Sequence, residues 1–382
     1  MKFFHLSDLH IGLKLLNRDL AEDQAYILDQ IIELARRQRP DAILIAGDIY
    51  DKAVPSAEAV ELFDRFVRRC TEAVPQARLM VISGNHDSAP RINLYRGLLC
   101  RQHVHMIGLP PLSEGERIEK VTLQDAFGPV NFYLLPFVRP SMVRNLVGPD
   151  ENGGACSYDE TLRRMLEREQ IDRTQRNVLV SHQFYLPRGA RAEDIDRMDS
   201  EVCTVGNIDA VDAGVLAPFD YAALGHIHKP MQVGGEFCRY CGTPLACSVS
   251  EAGQQKGVVQ VELGPKGVRT ATVLPLTPLR AVRVLKGTLA DVLLQRCRDY
   301  VSVVLTDPED LDVLDLQDRL REAFPCLLDV RREQTARPSG HSMPAPLPHL
   351  DAMALCQAFL GEVSERETAL LQDVINRVKE AQ

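Results

Sequence analysis

The sequence predicts an α/β domain over residues 1–275, a small α+β unit over 276–335, a Pro-rich linker over 336–349 and a helical tail over 350–382. Short apolar strands alternate with amphipathic helical stretches through the first segment. The texture changes at Pro275 and Pro278. A run holding Pro338, Pro344, Pro346 and Pro348 then isolates the tail.

Taken in order, the strands expected in the large domain are Lys2–Leu6, Ala42–Ala46, Leu79–Ile82, Val104–Ile107, Asn131–Leu135, Val178–Val180 and Tyr221–Leu224. Leu20, Gln24, Ile27, Leu28, Ile31 and Leu34 or Ala35 recur at helical spacing, and Pro40 closes that helix. Ser56 is a suitable N-cap for a second helix carrying Val60, Phe63, Phe66, Val67 and Cys70. Ser157-x-x-Glu160 is a capping box that opens a third. The small unit reads strand, helix, strand, helix, strand: Ala281–Leu285, Leu289–Arg298, Val301–Leu305, Leu314–Ala323 and Leu327–Val330. In the tail, Leu350, Met353, Ala354 and Leu360 share one stripe. Ser364-x-x-Glu367 caps a second helix with Leu371, Val374, Ile375 and Val378 at helical spacing. Helices beyond a linker have little of their own domain to cover them, so they suit a partner, or else they fold back on the body.

Composition is that of a soluble globular chain: 382 residues, 45% apolar and 25% charged. No apolar run approaches the roughly 18 residues that span a bilayer. Asp8 comes too early for a secretory apolar core, so a cytoplasmic location is expected. Ten scattered cysteines suit buried thiols in a reducing compartment, and Cys238-x-x-Cys241 has no second pair with which to build a structural zinc site. A net charge of −9 argues against gripping nucleic acid through general basicity, so any such function needs a local positive field.

Five segments stand just beyond apolar strands: Asp8-Leu9-His10, Gly47-Asp48, Gly84-Asn85-His86-Asp87, Ser181-His182 and Gly225-His226-Ile227-His228. Singly, each reads as a turn or surface polar group. Together, at the carboxyl ends of strands, they can converge on one crevice. Asp8, His10, Asp48, Asn85, His182, His226 and His228 offer imidazole, carboxylate and amide donors without a thiolate, which suits manganese, iron or zinc. Seven ligands exceed the need of one ion and suit two ions about 3.5–4 Å apart sharing a carboxylate. Two divalent ions and two carboxylates leave about +2 in the crevice, a field for a phosphodiester despite the acidic chain. His86 is then free to stabilise the transition state or protonate the leaving oxygen. Asp87 either orients the His86 ring or caps its turn. His5, His103, His105, His341 and His349 lie outside these motifs and read as structural or exposed.

The five motifs together resemble those of the calcineurin-like metallophosphoesterases: D-x-H, G-D, G-N-H-[DE], a lone H and G-H-x-H. The resemblance implies a two-sheet β-sandwich flanked by helices, with both metals at one end. Within that superfamily, Phe4–Gly12, Ala46–Ser56, Ile82–Asp87, Val205–Asp212, Phe219–Tyr221, Leu224–Pro230 and Tyr240-Cys241-Gly242-Thr243-Pro244 are similar to the SbcD nucleases. Met231 departs from the polar residue that many relatives carry there. The resemblance implies that Asp8, His10, Asp48 and His228 hold one metal, and that Asp48, Asn85, His182 and His226 hold the other, with Asp48 bridging and His86 catalytic. It further implies two Mn2+ ions, 3'-5' exonuclease action on duplex ends and endonuclease action on single strands and hairpins, in DNA repair, recombination and replication. The segment after Pro278 would cap the DNA, and the tail would bind the coiled coil of an SbcC-type ABC ATPase. A homodimer within a heterotetramer is implied, through Val60, Phe63, Val67 and the segment Pro90–Leu99, although the same face suits burial within the monomer. Lys14, Arg18, Lys52, Arg91, Arg188 and Lys229 flank the motifs and are candidate DNA contacts. The same ligands also suit a protein phosphatase, a cyclic-nucleotide phosphodiesterase or a nucleotide pyrophosphatase.

Overall fold

A computed structural model of the chain describes residues 1–187, 189–190, 198–201, 209–307, 313–333, 353, 356 and 364–380. Two mixed six-stranded sheets pack face to face. The first runs β16 (Gly267–Pro275), β15 (Gly257–Gly264), β1 (Lys2–Leu6), β4 (Ala42–Ala46), β5 (Arg78–Ile82), β6 (Val104–Ile107). The second runs β13 (Met231–Gln232), β14 (Cys238–Tyr240), β12 (Tyr221–Gly225), β9 (Arg176–His182), β8 (Gly128–Leu135), β7 (Glu119–Asp125). In each sheet the central pairs are parallel, β1–β4–β5–β6 and β14–β12–β9–β8, while the hairpins at the margins are antiparallel. Two short pairs add β2 (Lys14–Leu15) with β3 (Arg18–Asp19), and β10 (Phe184–Leu186) with β11 (Ala210–Asp212).

Strand alternation sorts the side chains into layers. Phe3, Leu44, Met80, Phe132, Val178 and Tyr221 fill the space between the sheets. Phe4, Leu6, Ile43 and Ile45 point the other way, onto helices α1 (Ala21–Gln38) and α2 (Ala57–Ala73). Each fully buried Ile or Leu here contributes about 1.5–3 kcal/mol. The outer face of the second sheet is covered by α6 (Tyr158–Arg168) through Leu162, Met165 and Leu166. The expected caps form: Ser56 Oγ accepts from Ala59 N and Ser157 Oγ from Glu160 N. Short turns α3 (Ala89–Ile92), α4 (Arg96–Leu99) and α5 (Arg144–Val147) complete this part.

Beyond Pro278 a separate three-stranded sheet, β17 (Val282–Gly287), β18 (Tyr300–Leu305) and β19 (Leu327–Arg332), has all pairs parallel, with α7 (Leu289–Leu293) and α8 (Val313–Ala323) as crossovers. The helix expected over Leu289–Arg298 stops at Leu293. Leu294 is 84% exposed, so nothing apolar rewards a further turn, and the Asp299 carboxylate is already taken by Ala281 N. Among the described residues this unit is held to α1 at two points and to β3 at a third. Asp23, fully buried, accepts from Arg280 (2.7 Å) and from Tyr300 Oη (2.8 Å). Gln30 exchanges hydrogen bonds with the backbone of Thr277. Arg18 donates to the carbonyls of Pro325 and Leu327.

The Pro-rich linker of 336–349 and most of the first tail stripe, Met353 apart, lie outside the described residues, as do Arg188, His341 and His349. The second tail helix is α9 (Glu365–Glu380), opened by the reciprocal Ser364–Glu367 capping box, and Leu370 and Val374 are exposed on it. Of the apolar face proposed for α2, Phe63 is buried against Tyr50 and Phe66, whereas Val60 is exposed. In the neighbouring segment Leu94, Tyr95 and Leu98 are exposed. Cys241 is buried with its Sγ 3.0 Å from Ser7 Oγ, a packed thiol. His5 is buried between the Tyr221 hydroxyl and the Leu224 carbonyl, a satisfied structural histidine.

Candidate metal centre

The parallel strands β1, β4, β5, β9 and β12 all end at one rim, and their following loops converge there. Pairing of β1 with β4 continues past the strands: Asp8 N donates to Gly47 O, His10 N to Asp48 O and Ile11 N to Ile49 O. The first two motifs therefore lie side by side as one double loop. Its backbone is unusual, because Asp8, Asp48, His10 and His226 all carry positive φ (54°, 48°, 42° and 101°). Non-glycine residues held there cost on the order of 1–3 kcal/mol each, and such strain clusters at functional sites.

Glycines open the space that the side chains fill. Gly47 has φ +91°, and a Cβ on it would sit 2.2 Å from His182 Nδ1. A Cβ on Gly84 would sit 2.1 Å from Asp48 Oδ1. Each of these two motifs thus meets a candidate ligand of another through a missing side chain.

All seven residues expected as ligands come together, and all but Asn85 are buried. On one side, His10 Nε2 and His228 Nε2 face each other at 3.1 Å, and Asp8 lies within reach of both. On the other, Asn85 Oδ1 lies 3.0 Å from His182 Nε2 and 2.9 Å from His226 Nδ1. Asp48 Oδ2 stands between, 3.7 Å from His10 Nε2 and 3.2 Å from His182 Nε2. The His182 Nδ1–H donates to the Ala46 carbonyl (2.7 Å), which turns the Nε2 lone pair inward, the usual outer support of a metal-ligating imidazole.

The electrostatics fit cations. Burial pushes Asp8 up, and Asp48 adds to that push. Burial acts on Asp48 in the same direction, but His182, His86 and His10 outweigh it and hold Asp48 well below the usual carboxylate range. Burial and the neighbouring His228 drive His10 down, so its ring is neutral with a lone pair to give. Two enclosed carboxylates and four imidazoles with convergent nitrogens make an oxygen- and nitrogen-rich donor set that suits two divalent ions.

His86 lies at the edge, half-buried. Its backbone N donates to Asp48 Oδ1, its ring packs edge-on against His10, and its Nδ1 sits 2.9 Å from the Asp51 carbonyl. That carbonyl, not Asp87, orients the ring. Asp87 caps the loops instead, accepting from Gly84 N, Ile49 N and Tyr50 N; burial raises its carboxyl to about 6. A groove of about 810 Å³ runs past this edge, lined by Gly12, Lys14, Asp51, Lys52, Ser56 and Arg65 among others.

Residues 1–230 match the family described as calcineurin-like phosphoesterase. The chain belongs to that family. It is therefore a phosphoester hydrolase of the metallophosphoesterase kind. Among solved structures the chain is similar to TT1561 of Thermus thermophilus, at 12% identity over 71% of this chain and 98% of that one, TM-score 0.41. It is similar to a dimetal phosphatase from Danio rerio, at 15% identity over 74% and 99%, TM-score 0.40. It is also similar to GAP50, the anchor in the inner membrane complex of Plasmodium, at 11% identity over 89% and 99%, TM-score 0.39. Among the described residues of this calcineurin-like phosphoesterase, no helix is long and apolar enough to cross a membrane.

Sequence reasoning missed the residues that support the ligands. Gln24, on α1, donates to His10 O (2.7 Å) and accepts from Gly12 N (3.0 Å). Ser7 donates to Asp8 Oδ2. Ser200, Glu201 and Glu251 surround His228. Nothing in spacing marks Gln24 except a polar residue on an otherwise apolar stripe. Glu251 has no such signal.

Proposed function

We propose that this calcineurin-like phosphoesterase is a DNA phosphodiesterase, the nuclease subunit of an SbcCD-type complex acting in the cytoplasm on duplex ends and on single-stranded or hairpin DNA. The supporting observation is the second folded unit, β17 to β19. Its Arg280 and Tyr300 grip Asp23, the residue beside Gln24, which holds the His10 loop. A unit anchored so near the metal loops suits a long substrate that must be guided; a small phosphoester would need none.

On this reading Asp8, His10, Asp48 and His228 hold one manganese ion, and Asp48, Asn85, His182 and His226 hold the other. Bound there, the ions supply Lewis acidity to the phosphoryl oxygens and a nucleophile at neutral pH. The chain's own contribution is positional and protic. Asp48 spans both sites, fixing their separation. His86, with Nδ1–H given to the Asp51 carbonyl, keeps Nε2 available to protonate the leaving oxygen. Lys14 and Lys52, exposed along the groove, meet phosphates. Exposed Val60, Leu94, Tyr95 and Leu98 form the homodimer contact, and α9 with the preceding tail residues binds the coiled coil of an SbcC-type ABC ATPase.

The test is cleavage of end-labelled duplex and hairpin DNA with Mn2+, with chelator, and by His86→Ala. Manganese-dependent cutting that falls by about 10²–10⁴-fold in His86→Ala is expected. If neither DNA is cut, even with the ATPase partner and ATP, while cyclic nucleotides or phosphoproteins are hydrolysed rapidly, the nuclease reading fails.

A further inference from the structure

Behind His228, away from His10, lies a buried carboxylate that contacts no reacting atom. Glu251 is 1% exposed and closes the short turn Val249–Glu251. Its Oε1 accepts from Ser200 Oγ (3.0 Å), Ser248 Oγ (3.1 Å) and Cys247 N (3.2 Å). Its Oε2 accepts from Thr243 Oγ1 (2.8 Å) and from the buried Lys256 Nζ (2.6 Å).

The same cluster immobilises His228 on every polar side. Lys256 Nζ and Thr243 N donate to His228 O at 3.2 and 3.3 Å. Glu201 Oε1 accepts from His228 N at 2.8 Å. Ser200 Oγ stands 2.7 Å from His228 Nδ1. The Ser200 hydroxyl proton is committed to Glu251, so toward the ring Ser200 can only accept. His228 Nδ1 must then carry the ring proton, and Nε2 keeps its lone pair, aimed at the space shared with His10 Nε2.

We propose that Glu251 is a positioning residue, acting through Ser200 to fix His228 as the Nδ1–H tautomer and so prepare Nε2 as a ligand. This rests on the reading above that His228 holds a metal. His228, Cys247 and Glu251 also bring ligand atoms within 4.8 Å of one another. That trio is a support rather than a further ion site, because the Lys256 ammonium already supplies its positive charge.

The experiment uses the full chain labelled with ¹⁵N-histidine, as wild type, Ser200→Ala and Glu251→Ala. Glu251→Met with Lys256→Met removes the buried charge pair and the acceptor for Ser200 at similar volume, should Glu251→Ala fail to fold. Imidazole ¹⁵N shifts without metal report the His228 tautomer, and Co2+ titration followed by its visible spectrum reports occupancy. Wild type is expected to show the Nδ1–H form and bind two ions. In the variants the Nδ1–H form is lost, one ion binds about 10–100-fold more weakly and the other is unchanged. Variants that keep the Nδ1–H form and both affinities overturn the proposal. Wild type binding fewer than two ions instead overturns the metal assignment on which it rests.

Discussion

Gln24→Met isolates the contribution of one buried amide to the metal loops. The side chain is 5% exposed and bridges the His10 carbonyl and the Gly12 amide at 2.7 and 3.0 Å. Methionine matches its length and removes both bonds. Each buried group left unpaired costs about 1–3 kcal/mol, so two cost about 2–6 kcal/mol, and the gain in apolar burial of about 1 kcal/mol leaves a net loss near 3. For a domain of this size that lowers Tm by roughly 6–12 °C. Because the released loop carries His10 at φ 42°, its metal affinity should fall as well. Ligand binding stabilises the native state by RT ln(1 + [L]/Kd), so a tenfold weaker site widens the gap by about 1.4 kcal/mol in Mn2+ relative to chelator. Thermal melts of both proteins in both conditions are the assay. A Gln24→Met protein that melts with wild type in chelator, or shows one constant gap in both conditions, refutes this account of the loop.

Gly84→Ala places a Cβ 2.1 Å from Asp48 Oδ1 and 2.4 Å from Asp48 N; it should cost about 1–3 kcal/mol and displace Asn85, read as reduced Co2+ stoichiometry, and undiminished binding of two ions would contradict it. Arg176, 6% exposed, donates to both Asp125 oxygens and holds that carboxyl well below the usual range. A depressed folded-state pKa gives stability that is complete above the unfolded value near 3.9 and is lost as pH falls beneath it. Urea unfolding should therefore show the gap between wild type and Asp125→Asn narrowing steadily as pH falls below about 5, and a gap independent of pH would argue against the ion pair. Arg280→Ala removes a donor from the buried Asp23 and should destabilise by about 1–3 kcal/mol, read as early loss of amide protection in β17 to β19; protection equal to wild type would show that the clamp does not hold that unit.

The candidate ligands were legible because metal chemistry restricts residue types and parallel strands deliver them at one rim. Asp8, Asp48 and His226 could be placed from the sequence without knowing their positive φ. The edge strands were not. In β16, Arg269, Thr270, Thr272 and Val273 face solvent, and β7 alternates Lys120, Thr122 and Gln124 with partly buried neighbours, so neither offers an apolar run. Gln24, Ser200 and Glu251 were illegible for another reason. Their roles are contacts between segments far apart in the chain, and a single buried Gln or Glu has the same sequence signature as an exposed one.

The metal centre also has a mechanical side. Asp8, His10, Asp48 and Asn85 come from the first sheet, and His182, His226 and His228 from the second. A cation held by both sets would fasten the two layers at one rim, much as a clasp closes a book. Losing it would silence the chemistry and unfasten that rim in the same event, at loops already under torsional load. Chain without metal would then be the more open to proteolysis at that rim, so loss of activity and loss of protection should go together.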